Sequence, residues 1–164
     1  MRKGAITATL VLGAAAAALA VPHGLSGVSF GVGAPGLADV YMVGEIDLRL
    51  SDFVCLGWEL GMGFGHGGVA FAGAAGRFYV IPHYDYVTQP YMSFGGGIAR
   101  RFDDKDSAED EESTGGYITF GAGTDFDIPD SPVSPYLDLG GHFFAGDESE
   151  AAFKIEIGAR FNVF

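Results

Sequence analysis

Apolar and polar residues alternate through most of this chain, and the clearest run is its last. In Lys154-Ile155-Glu156-Ile157-Gly158-Ala159-Arg160-Phe161-Asn162-Val163-Phe164, an apolar row of Ile155, Ile157, Ala159, Phe161 and Val163 is interleaved with Lys154, Glu156, Gly158, Arg160 and Asn162. A strand turns successive side chains to opposite faces. A period of two therefore predicts a strand with one apolar and one charged face.

Seven earlier segments repeat the pattern, with turn-forming residues between them. Residues 28–34 set Val28, Phe30 and Val32 against Ser29, Gly31 and Gly33. Residues 40–50 set Val40, Met42, Ile46 and Leu48 against Tyr41, Val43, Glu45, Asp47 and Arg49. Residues 54–64 carry an unbroken row of Val54, Leu56, Trp58, Leu60, Met62 and Phe64, opposed by Cys55, Gly57, Glu59, Gly61 and Gly63. Residues 69–81 are apolar and small on both faces. Arg77 aligns its own row with the charged ones, leaving Ala70, Ala72, Ala74, Gly76, Phe78 and Val80 on the apolar side. Residues 91–102 set Met92, Phe94, Gly96 and Ile98 against Ser93, Gly95, Gly97, Ala99 and Arg101. Residues 117–128 set Ile118, Phe120, Ala122, Phe126 and Ile128 against Thr119, Gly121, Gly123, Asp125 and Asp127. Residues 133–144 set Leu137, Leu139, Gly141 and Phe143 against Tyr136, Asp138, Gly140 and His142. Residues 103–114 read as a charged loop and 147–150 as a link. No helical period of useful length follows residue 21.

Collected, the polar rows hold Glu45, Asp47, Arg49, Glu59, Arg77, Arg101, Asp125, Asp127, Asp138, His142, Lys154, Glu156 and Arg160. In a soluble barrel these charges face water and the apolar rows fill the centre. In an outer-membrane barrel the rows are inverted, with charges in the lumen and apolar residues on lipid. Alternation alone does not choose between the two. Segments of about 10 residues match the length a tilted strand needs to cross hydrocarbon. A membrane sheet must also close, because an unpaired edge costs several kcal/mol per backbone group there.

The N-terminus points to export. Arg2 and Lys3 precede an apolar run from Ala5 to Val21, interrupted by Thr7, Thr9 and Gly13, and Ala18-Leu19-Ala20 gives a small-x-small cleavage pattern. Residues 1–20 read as a cleavable signal peptide and residues 21–164 as one barrel domain. The formal net charge of the 164 residues is −12, and loss of Arg2 and Lys3 makes it more negative. Such acidity argues against nucleic acid and against a basic surface for anionic lipid. The 27 Gly, 14 Phe and 7 Tyr suit strands and tight turns better than helices. Cys55 is the sole cysteine, which excludes an internal disulfide and a cysteine-rich metal site.

The final strand resembles the C-terminal targeting strand of bacterial outer-membrane β-barrels, whose pattern is polar, any, Gly, any, any, aromatic, any, hydrophobic. Glu156, Gly158, Phe161 and Val163 occupy the four specified positions. With the eight alternating segments, the mature chain is similar to the small OmpA/OmpX/OmpW-like barrel class. That resemblance implies an all-β, eight-stranded antiparallel up-and-down transmembrane barrel, inserted by the barrel assembly machinery and surrounded by outer-membrane lipid as a monomer.

An eight-strand barrel is just wide enough for side chains to fill. The expectation is a lumen plugged by ion pairs, no cofactor, no metal, no catalysis, and a structural or surface-interaction role. Two alternatives remain open at this point: a narrow channel for small hydrophobic solutes, and a secreted soluble barrel binding an apolar ligand. The loop bearing Asp103, Asp104, Asp106, Glu109, Asp110, Glu111 and Glu112 lacks the spacing and central Gly of a calcium loop and reads as solvated and self-repelling. His23, His66, His83 and His142 show no ligand spacing. His142 follows Asp138 by four residues on the polar row, and a hydrogen-bonded pair is expected. No Ser or Thr stands two places after His142 to make a lipid-deacylase motif. Cys55 reads as packing. Trp58, Tyr41, Tyr91, Phe102, Tyr117 and Phe143 are candidates for aromatic girdles at the membrane interfaces, with ordinary barrel packing as the other reading. Gly95-Gly96-Gly97 lies within a strand pattern and is no phosphate loop.

Overall fold

The alternation resolves into eight strands. The structure is a computed structural model that describes residues 25–34, 39–65, 68–81, 87–102, 113–146 and 149–162. Residues 1–20, which the sequence reads as a signal peptide, the loop residues 103–112, and Val163 and Phe164 lie outside the described residues. The strands are β1 (Leu25–Ala34), β2 (Val40–Arg49), β3 (Val54–Phe64), β4 (Gly68–Tyr79), β5 (Thr88–Phe102), β6 (Ser113–Phe126), β7 (Val133–Ala145) and β8 (Ser149–Asn162). Each pairs antiparallel with its sequence neighbours, and β1 pairs with β8, so the sheet closes in the order β1 to β8. Closure leaves no edge strand, and the backbone groups of the wall are satisfied within the ladder.

Four strands begin three or more residues earlier than the sequence pattern indicates. β1 starts at Leu25 rather than Val28, β5 at Thr88 rather than Tyr91, β6 at Ser113 rather than Tyr117, and β8 at Ser149 rather than Lys154. The reason is pairing. Arg100 and Arg101 of β5 draw Thr114 and Ser113 into the ladder, and Ala145 does the same for Ser149. Polar and Gly-rich stretches with no alternation of their own become strand because a partner arm is already extended. Residues 113, 114, 149 and 150 are thus strand, not loop or link. Pro90, which has no N–H to give, sits near the start of β5, where its carbonyl accepts from Val80 N at 2.9 Å.

The connections at the β2–β3 and β6–β7 end are tight. Leu50 N donates to Val54 O at 2.9 Å. Between β6 and β7, Ser131 N donates to Ile128 O at 3.0 Å and Asp130 takes φ of 62°. Asp tolerates that left-handed conformation better than most residues.

The outward rows are predominantly apolar. Leu60 is 67% exposed, Met92 63%, Ile157 61% and Phe30 60%. The inward rows carry Asp47 at 1%, Asp125 at 2% and Arg160 at 5%. Arg77 is also buried, so its row in β4 faces inward and Ala70, Ala72, Ala74 and Phe78 face outward, as the sequence indicates. The barrel is inside out relative to a soluble protein.

Candidate functional site: the barrel interior

Alternation sends every second side chain of each strand to the lumen, and the ladder register then decides which of them meet. Around the lower interior, toward the β2–β3 turn, Arg77 of β4 ion-pairs with Glu45 and donates from Nη1 to Asp47 of β2 at 2.8 Å. Arg160 of β8 lies with Nε 3.4 Å from the other Asp47 oxygen and also pairs with Asp125 of β6. Tyr79 OH donates to Asp125 at 2.8 Å, and Ser29 Oγ donates to Glu45 at 3.0 Å. The Arg160 guanidinium carbon stands 4.8 Å from the Tyr136 ring centroid. Two guanidiniums and three carboxylates from four strands thus form one network. Removing charges from water is costly, and only such multiple pairing offsets it.

A second group sits higher. Lys154 Nζ lies 3.1 Å from Asp138 and 3.7 Å from Glu156. Ser93 Oγ donates to Asp138 at 2.8 Å. Glu156 accepts from Tyr136 OH at 2.8 Å and from Tyr41 OH at 3.0 Å, one on each oxygen. Glu59 accepts from Tyr117 OH. The void between these groups measures about 20 Å³, room for a single water. Near the β6–β7 end, Asp127 accepts from Ser134 Oγ at 2.6 Å and from the Gln89 amide.

Toward the β5–β6 end the interior becomes apolar. Tyr41, Val43, Val69, Phe71, Ala99, Tyr117 and Phe144 pack together across it. Above Phe144 the Arg101 guanidinium lies 4.4 Å from the ring centroid and pairs with Glu150 at the rim. Arg49 sits at the other end, 5.7 Å from the Tyr79 ring centroid.

All the charged positions singled out in the sequence therefore line the interior or its rims. Two sequence expectations change. Tyr41, Tyr91 and Tyr117 are not girdle residues: each is buried inside the barrel, because each shares the parity of its strand's polar row. Trp58, Phe102 and Phe143 do face outward. The expected Asp138–His142 hydrogen bond is also not formed. Asp138 is taken by Lys154 and Ser93, while His142 packs its ring 5.3 Å from that of Tyr41 and leaves Nδ1 without a hydrogen-bond partner. The sequence places Ser29, Ser93 and Tyr136 on the polar rows without showing that they bond the charges, and it does not single out Gln89 and Ser134, whose only signal is inward parity. Cys55 is buried beside Tyr79 and Tyr91. Among the described residues no group of three or more His, Cys, Asp or Glu is placed to hold a metal ion. Of the strand positions bearing the targeting pattern, Glu156 and Gly158 lie on the inward row and Phe161 on the outward one, its ring edge-on to Phe30 at 6.4 Å; Val163 is outside the described residues.

No protein-family model matches the chain, and no curated protein matches it. Solved structures do. The N-terminal β-barrel domain of Pseudomonas aeruginosa OprF is similar with a TM-score of 0.68 and 17% identity, over 85% of this chain and 99% of that one. Neisserial surface protein A gives 0.64 and 11% identity, over 84% of this chain and 94% of its own. A de novo designed transmembrane β-barrel gives 0.56 and 16% identity, over 86% and 97%. Fold and interior together define the class: the chain has the closed eight-stranded, up-and-down architecture of the small outer-membrane barrels.

Proposed function

We propose that this protein is an integral outer-membrane barrel, plugged by its own side chains, with a structural or surface-interaction role and no catalysis. The observation that supports it is the inverted partition of the wall. Buried charges occupy the lumen, while Phe30, Leu60, Met92, Ile98, Phe120 and Ile157 are among the many large apolar side chains left open on the outside. A soluble monomer rarely exposes an apolar patch beyond a few hundred Å². Here an apolar band encircles the molecule, which suits hydrocarbon rather than water.

In this reading residues 1–20 direct export, the barrel assembly machinery inserts the chain, and the last strand carries the recognition pattern through Glu156, Gly158, Phe161 and Val163. Lipid is the immediate partner and the barrel is monomeric. The ion networks and the aromatic cluster above them obstruct a continuous water path, so the protein is no general pore.

Two measurements test this. The protein is expected in the detergent-extracted outer-membrane fraction, with a gel mobility that changes on boiling. In planar bilayers it is expected to show no large, steady conductance. Recovery in the soluble periplasmic fraction overturns the membrane reading; a steady conductance of porin size overturns the plug.

A further inference from the structure

We propose that the barrel interior binds one small monovalent cation of sodium size, held between Glu59 of β3 and Thr119 of β6. The proposal rests on the plugged-barrel reading above and adds a member to the plug.

The first observation is a negative charge left over. Among the described residues the buried carboxylates are Glu45, Asp47, Glu59, Asp125, Asp138 and Glu156, against the buried cations Arg77, Lys154 and Arg160. Each cation already serves two carboxylates. Arg77 takes Glu45 and Asp47, Arg160 takes Asp47 and Asp125, and Lys154 lies by Asp138 and Glu156. Glu59 is left out of these pairs. Among the described residues it accepts from the Tyr117 hydroxyl, and no cation stands within ion-pair distance of it. It is 8% exposed, and its register partner across the β2–β3 ladder is another acid, Glu45. Like charges set directly opposite on one face destabilise a sheet, and a buried carboxylate without a counter-charge is costly.

The second observation is independent of charge. Thr119 is 5% exposed, and its Oγ1 has no hydrogen-bond partner. A buried hydroxyl in that state calls for an occupant beside it. Glu59 and Thr119 both line the void of about 20 Å³, together with Ser93 and Asp138. A water in it would serve the hydroxyl and leave the charge. A proton on Glu59 would remove the charge and leave the hydroxyl. A cation answers both, because a hydroxyl oxygen and a carboxylate are ligands for a hard ion. The class of ion follows from the same geometry. The void has room for one water-sized particle. Among the described residues no three carboxylates converge to hold a metal ion, whereas calcium takes six to eight oxygens and magnesium keeps several of its waters. A small monovalent ion fits that size and that donor set. A chain of formal charge −12 also draws cations from the medium.

The test is urea unfolding of the mature chain refolded in zwitterionic detergent and sodium-free buffer, with NaCl or N-methylglucamine chloride added at equal ionic strength. An ion bound only by the folded state raises stability with its concentration. The wild-type midpoint is expected to rise further in NaCl than in N-methylglucamine chloride, whose cation is too large for the void. Glu59→Gln and Thr119→Val, each first checked for the heat-modifiable gel shift of a closed barrel, are expected to lose most of that difference. The wild type also reports alone: the sodium NMR line is expected to broaden with the closed barrel and not with the urea-unfolded chain. Equal midpoints in the two salts, or equal line widths, overturn the ion site and leave the barrel reading standing, with a proton on Glu59 as the balancing charge. A sodium-specific rise that persists in both closed variants overturns it too, since the ion then lies elsewhere. A wild type with no heat-modifiable form overturns the barrel reading and the site with it.

Discussion

The ring of Tyr91 on β5 lies across Gly123, its register partner on β6, and fills the space a side chain there would need. A Cβ on Gly123 would stand 2.5 Å from Tyr91 Cζ. The same relation joins Tyr136 to Gly158, Tyr41 to Gly33 and Phe71 to Gly61, each pair facing across a ladder. An eight-strand lumen has no room for a large side chain at every inward position. Setting these four rings over glycines is how this one makes room for them.

Gly123→Val is therefore expected to destabilise the barrel by about 1–3 kcal/mol, the usual cost of overpacking. A lowered urea midpoint in detergent would report it. Adding Tyr91→Ala should recover part of the loss, and a double-mutant cycle with no coupling would contradict the contact.

Arg160 neutralises both Asp47 and Asp125. Arg160→Met is expected to cost about 3–5 kcal/mol, since it strands buried carboxylates. Arg160→Met combined with Asp125→Leu should be less damaging than the single change. Equilibrium unfolding of the two variants compares them directly.

Leu60 lies in the middle of β3 on the outward row. Leu60→Arg is expected to destabilise the barrel in phospholipid vesicles by about 2–4 kcal/mol, the midplane penalty for Arg. Arg100→Leu should not destabilise it by any such amount. Unfolding in vesicles distinguishes the two; equal effects would mean that the outer wall is not ordered by membrane depth.

Phe161 touches Phe30 edge-on but stays 43% exposed. Phe161→Ala should therefore lower equilibrium stability modestly while markedly slowing insertion by the assembly machinery. Comparing refolding in detergent micelles with accumulation in cells separates the two effects. Normal cellular accumulation would remove Phe161 from the targeting role.

Much of this architecture is legible along the chain. Period-two alternation located all eight strands, since facing is a local property of an extended backbone. Arg77 was enough to orient β4, whose other residues are small and apolar. The starts of β1, β5, β6 and β8 were not legible, because Leu25, Thr88, Ser113 and Ser149 join a ladder only when a partner strand offers unpaired backbone groups. The tyrosines show the same limit. Tyr41 and Tyr117 share the parity of Glu45 and Thr119, yet their amphipathic chemistry fits an interface as well as a lumen.

The sequence by itself determined the number of strands and which residues share a face, because both follow from alternation within a single strand. Tertiary structure alone decided which face turns inward and which charges meet. Closure of β1 on β8 and the curvature of the wall bring Arg160 of β8 to Asp47 of β2 and to Asp125 of β6. Partners so far apart in the chain become neighbours only through the curvature of a closed wall, which no local pattern encodes.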